Sequence, residues 1–184
     1  MATNSHIEWT EATWNPVTGC DKVSPGCAHC YAERMANRLR AMGQRNYARG
    51  FELTLQPQML ELPLRWKKAK RIFVNSMSDM FHADVPIPFI QQAFDVMRRA
   101  HWHQFQVLTK RPERAVRLAD RLTWSDNIWM GTSIETMELA ARADQLQLLP
   151  AAVRFIIAEP LPGPVVGLDL TGIDSRFTVP SSLG

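Results

Sequence analysis

The 184-residue chain has no apolar run near the ~20 residues that a bilayer-spanning helix requires. Its start, Met1-Ala2-Thr3-Asn4-Ser5-His6, carries neither the basic nor the apolar region of a secretory leader. A cytoplasmic location is therefore expected. Internal repeats and low-complexity tracts are missing, and with 46% apolar and 21% charged residues the composition excludes disorder and collagen-like architectures. Excess charge is small as well: the formal net charge of +3 permits a polyanionic partner without requiring one. Cysteine is scarce, with three residues that all fall between Cys20 and Cys30. An odd, clustered set does not describe a disulfide framework, so metal or redox chemistry becomes the leading question.

What is present reads as one α/β domain. Arg71 to Asn75, Phe105 to Thr109, Ile128 to Thr132 and Arg154 to Ala158 are nearly continuous apolar runs, as in strands covered on both faces. Helical spacing lies between them, at Ile90, Phe94 and Met97, at Ala115, Leu118, Ala119 and Leu122, and at Leu139, Ala143 and Leu146. Pro112 suits a first helical turn and Pro150 a stop. Such alternation implies right-handed βαβ units around a parallel sheet. Residues 47 to 63 show no clear period, and beyond Pro160 only a short strand near Val165 to Leu170 is expected.

Parallel α/β folds place their chemistry at the carboxyl ends of the strands, and polar residues gather there. Asp79, Lys110 with Arg111, Glu135 and Glu159 each follow one of the four runs. Asp79 suits either a cap or acceptance of a hydrogen bond from an amino group, whereas Lys110 and Arg111 suit a carboxylate or phosphate. Glu135 and Glu159 suit orientation of a ribose or substrate, or ion pairing with those bases. Trp9 and Trp14 are expected in the core. The basic run from Arg65 to Arg71 reads as a solvated face or as a nucleic-acid contact.

Cys20, Cys27 and Cys30 form C-x6-C-x2-C around a turn-forming segment, Asp21 to Gly26. Tyr31, Met35, Leu39 and Met42 then mark one apolar helical face, with Arg34, Arg38 and Arg45 elsewhere. Cys30 thereby falls at a helix N-terminus, which favours thiolate. Structural zinc needs a fourth ligand, from His29, His82, His101 or His103. A four-iron cluster needs only three cysteines and keeps one iron open. Cluster, zinc and free buried thiols all remain open on spacing alone.

The segments Trp14-Asn15-Pro16-Val17-Thr18-Gly19-Cys20 and Ser24-Pro25-Gly26-Cys27-Ala28-His29-Cys30-Tyr31-Ala32-Glu33 resemble a phage- and prophage-encoded radical S-adenosylmethionine-like family with a three-Cys motif. Asn75 to Phe81, Leu108 to Pro112 and Ala158 to Leu161 resemble its other signatures. The resemblance covers about residues 6 to 174. It implies a partial TIM-like barrel, radical S-adenosylmethionine type, whose cluster loop follows a first strand near Ile7 to Trp14. It also implies a 4Fe-4S cluster on Cys20, Cys27 and Cys30, with S-adenosylmethionine chelating the open iron and cleaved by one electron to a 5′-deoxyadenosyl radical. His29 and Tyr31, with Asp79, Lys110, Glu135 and Glu159, become cofactor-binding candidates. Expected partners are a three-Cys-motif partner protein, a reductant protein, and a nucleic acid or nucleotide as substrate.

Two departures stand out: the usual C-x3-C-x2-C spacing is longer here, and His29 occupies a position that is generally aromatic. The resemblance further implies a domain over residues 1–174 and a C-terminal tail over 175–184 that departs from the family pattern. A five-stranded open sheet, truncated, prone to association and possessing reduced cluster binding, is the corresponding expectation. The contrasting reading is a zinc-stabilised nucleic-acid-binding module without catalysis.

Overall fold

A computed structural model describes residues 9–158, 167–168 and 170–177. The architecture is α/β, with a parallel sheet in the order β1 (Ala12–Trp14), β4 (Arg71–Val74), β5 (Gln104–Thr109), β6 (Ile128–Ser133), β7 (Val153–Ile157) and β8 (Ser175–Phe177). Every neighbouring pair in this sheet is parallel. A small antiparallel pair, β2 (Val17–Thr18) and β3 (Thr54–Leu55), stands apart from it. Among the described residues β1 pairs only with β4, and β8 only with β7, so the sheet is open.

The connections carry α1 (Tyr31–Ala41), α2 (Ile87–Arg99), α3 (Pro112–Leu118) and α4 (Ala141–Gln147). The last three pack on one sheet face: Ile90, Phe94, Met97, Ala115, Leu118, Ala143 and Leu146 share a core with Ile72, Val74, Phe105, Val107, Ile128, Met130 and Ile156. Alternation along the strands sends Phe73 and Phe155 to the opposite face. Trp9 packs there, its ring 4.8 Å from Phe73 and 6.4 Å from Phe155. Trp14 is fully buried and its indole N–H donates to the Met59 carbonyl at 2.7 Å. Trp14 thus lies in the core as expected, whereas Trp9 is half-buried against Phe73 on the opposite face. No helix of the described residues is long and apolar enough to cross a membrane.

The expectation of five strands is corrected by Ser175–Phe177, which adds a sixth strand parallel to β7. Edge pairing needs backbone N–H and C=O groups and no apolar run. Asp174 starts the pairing: its N–H donates to the Arg154 carbonyl at 2.9 Å, and its carboxylate accepts the Arg154 N–H at 2.8 Å. Residues 178–184 of the expected tail lie outside the described residues, as do Ile7 and half of the expected strand near Val165 to Leu170; Gly167, Leu168 and Leu170 are not in a strand. The apolar face assigned to α1 holds in its middle and is corrected at its ends. Met35 and Leu39 pack, with the buried Ala32 and Ala36, against Met77, Tyr47 and Phe51, whereas Tyr31 and Met42 at the two ends are exposed.

Candidate metal centre

The loop after β1 is set in place by its own motif. Asn15 accepts the Ser76 hydroxyl and the Met77 N–H through Oδ1, at 3.2 and 3.1 Å, and the Ser78 hydroxyl donates to the Val17 carbonyl at 2.8 Å. Gly19 has φ +80°, and a Cβ there would stand 2.3 Å from the Glu52 carbonyl oxygen, so only glycine fits. Two stretches distant in sequence, 14–20 and 75–81, are thereby held side by side at the carboxyl end of the sheet. Cys20 emerges directly above that end.

Asp79 sits beneath Cys20 and is buried. Its Oδ1 accepts from the Phe81 N–H at 2.9 Å and the Thr109 hydroxyl at 2.8 Å, and its Oδ2 accepts from the Lys110 N–H and Arg111 Nη1, both at 3.0 Å. Four protein donors occupy this carboxylate, which ties the loop after β4 to the loop after β5. Arg111 extends the network by donating from Nη1 to Cys20 Sγ at 3.5 Å and from Nη2 to the Asp21 carbonyl at 3.2 Å. Burial pushes the Cys20 thiol above its ordinary range, against the opposing pull of Arg111.

Glu135 forms the second half of the site. It is fully buried, with Oε1 bonded to Lys110 Nζ and accepting the Ser24 hydroxyl at 3.1 Å. Its Oε2 has only an ion pair with Arg142 at 3.6 Å and no hydrogen bond. Arg142 is itself held by the Ser133 carbonyl at 2.8 Å. The cysteine turn lies on this carboxylate so closely that a Cβ on Gly26 would come within 2.6 Å of Glu135 Cδ. Above it, Ser24 Oγ and Cys27 Sγ are 3.6 Å apart. Burial raises the Cys27 thiol, but hydrogen bonds at Val23 and Ser24 and the charge of Lys110 outweigh it and leave the thiol below its ordinary range.

Cys30 stands at the N-cap position of α1, as its place in the sequence predicts, without a side-chain capping hydrogen bond. All three thiols are free and half-buried. His29, beside them, is exposed, and Glu159 lies outside the described residues. Among the described residues the one set of three metal-ligating atoms within 4.8 Å of one another is Asp21, His82 and Asp84; the three sulfurs are not all within that distance of one another. Within the acidic trio, Asp84 N–H donates to His82 Nδ1 at 3.2 Å, so the proton lies on Nε2 and is donated to Asp21 Oδ2 at 3.0 Å. Both ring nitrogens are thus engaged, and His82 anchors the cysteine loop.

Asp79, Lys110 and Arg111 are assembled with Cys20, and Lys110 and Glu135 with Cys27, as the strand-end positions predict. Tyr31 is exposed on α1. Ser24, Gly26, Thr109 and Arg142 enter the site without being singled out by sequence. A serine and a glycine in a cysteine turn are weak signals, but Arg142 is marked by standing beside Ala143 in an apolar stripe. The basic run is exposed at Arg65, Lys67 and Lys68 and precedes β4, at the end of the sheet opposite the cysteines.

An open parallel sheet whose carboxyl end carries a three-thiol loop defines an α/β protein with a candidate metal centre. A family described as protein of unknown function (DUF5131) matches residues 4–178, and the chain belongs to it. No curated protein and no solved structure matches the chain.

Proposed function

We propose that this chain is a radical S-adenosylmethionine-type enzyme in which Cys20, Cys27 and Cys30 ligate a four-iron cluster. The observation that carries this reading is the loop itself: three half-buried thiols without a disulfide, at the carboxyl end of a parallel sheet, with the Arg111 guanidinium donating to Cys20 and Ser24 beside Cys27. Hydrogen bonds to sulfur stabilise thiolate ligands and tune a cluster. The open βα sheet supports a partial TIM-like barrel.

When bound, the cluster and S-adenosylmethionine supply one-electron reductive cleavage, which requires a reductant protein. This chain's residues do the holding. Arg111 offsets the charge of a Cys20 thiolate, and Lys110 that of a Cys27 thiolate. Glu135 Oε2, a buried acceptor without a hydrogen-bond donor, suits an incoming ammonium, whereas Asp79 is saturated and fixes the loops. Lys110 and Arg142 suit a carboxylate. The three-Cys-motif partner protein belongs to this reading as a neighbour.

The test is anaerobic reconstitution of Cys20→Ala, Cys27→Ala and Cys30→Ala. Each is expected to lose the cluster's visible absorption and most of its iron, because one iron is left without its thiolate. His29→Ala should keep both. A full iron complement in any one cysteine variant contradicts the assignment, and loss of bound metal in His29→Ala favours zinc.

A further inference from the structure

Beside the cysteine loop lies a cavity of about 330 Å³, walled by Val23 of that loop and by Lys110, Arg111, Arg114, Arg117 and Arg142. Five cations in one wall are met by three carboxylates: Glu113, also in the wall, Asp79 on Arg111, and Glu135 on Lys110 and Arg142. Two positive charges remain in excess. They belong to α3, where Arg114 and Arg117 stand three residues apart and so share a face. Arg114 donates only to backbone carbonyls, to His82 and, at 2.8 Å, to Val85. Arg117 has no carboxylate within ion-pair distance among the described residues, and the exposed Asp84 acts on Arg114 only through space. Burial, followed by the charge of Arg117, lowers the Arg114 pKa from its ordinary value, as expected where positive charge is crowded.

We infer that this cavity binds the phosphoryl group of a small phosphorylated ligand. Guanidinium groups match phosphate oxygens in pairs, and a dianionic phosphate balances the two excess charges where a single carboxylate would balance one. A small, solvent-open pocket ringed by cations suits a terminal phosphate or diphosphate, whereas a nucleic-acid backbone tracks longer basic surface. The exposed run at Arg65 to Lys68 supplies such a surface, on the opposite end of the sheet. This inference stands on the cavity alone and does not depend on what the thiols hold.

The experiment is calorimetric titration at constant ionic strength with pyrophosphate, AMP, malonate and a single-stranded oligonucleotide. Pyrophosphate and AMP are expected to bind, with malonate at least about tenfold weaker. Arg117→Glu should weaken pyrophosphate by about tenfold or more, while Lys68→Glu, in the basic run, should change it less than about twofold. Arg117→Gln provides the same comparison without charge reversal should Arg117→Glu not fold. Iron content of the Arg117 variants should match the parent, which separates this result from the cluster assignment. Absence of pyrophosphate binding, malonate equal to pyrophosphate, or equal sensitivity to the Arg117 and Lys68 changes overturns the proposal. So does an oligonucleotide that binds more tightly than pyrophosphate and loses affinity in Lys68→Glu.

Discussion

The two halves of the cysteine site are built on opposite plans. Around Asp79, four donors fill one buried carboxylate and leave Arg111 to reach Cys20. Around Glu135, one oxygen carries Lys110 and Ser24 and the other has no hydrogen bond at all. A carboxylate with every acceptor position filled acts as scaffold; one with a vacant buried acceptor position keeps capacity for a donor from outside. The thiols follow the same division, Cys20 above its ordinary range and Cys27 below it.

The largest effect that sharpens this contrast is expected at Asp79. Asp79→Ala leaves the Arg111 guanidinium buried without its partner and several donors unpaired, so it should cost about 3–5 kcal/mol in urea unfolding. Glu135→Ala should cost less, about 1–3 kcal/mol, because Lys110 is partly exposed and Arg142 keeps the Ser133 carbonyl. Equal losses in the two variants break the comparison.

A smaller effect probes the contact between the cysteine turn and Glu135. Gly26→Ala drives a methyl into that carboxylate and should cost about 1–2 kcal/mol by overpacking. Combined with Glu135→Ala the penalty should largely vanish, a coupling that a double-mutant cycle measures. Full additivity would show that the turn does not rest on Glu135.

The smallest effect is in thiol titration. In metal-free protein, alkylation followed by peptide mass spectrometry should show Cys27 reacting at lower pH than Cys20. A thiol held below its ordinary range has the larger thiolate fraction near neutrality, and one held above it gains thiolate only as pH rises further. The reverse order contradicts the electrostatic difference between the halves.

Much of the frame was legible because burial on both faces leaves apolar runs: β4, β5, β6 and β7 fall within a residue or two of the runs that begin at Arg71, Phe105, Ile128 and Arg154. Gathering of Asp79, Lys110, Arg111 and Glu135 followed from parallel topology, which fixes where strand ends meet. What stayed hidden depends on contacts without periodic signature. The β2–β3 pair is only two residues long on each side and is positioned by the Cys20 loop. Ser175–Phe177 joins the sheet through backbone pairing that composition does not reveal. On α1, Ala32 and Ala36 are buried beside the half-buried Met35 and Leu39 while Tyr31 and Met42 are exposed, a rotation of the inward face that hydrophobic spacing alone does not reveal. The approach of Gly26 to Glu135 links positions more than a hundred residues apart, beyond the reach of any local pattern.

The most direct measurement of the central claim is the metal content of the unmodified chain after anaerobic reconstitution, with iron, acid-labile sulfide and zinc counted together. The account predicts about four irons and four sulfides per chain, held by Cys20, Cys27 and Cys30. One zinc per chain with no sulfide would contradict it.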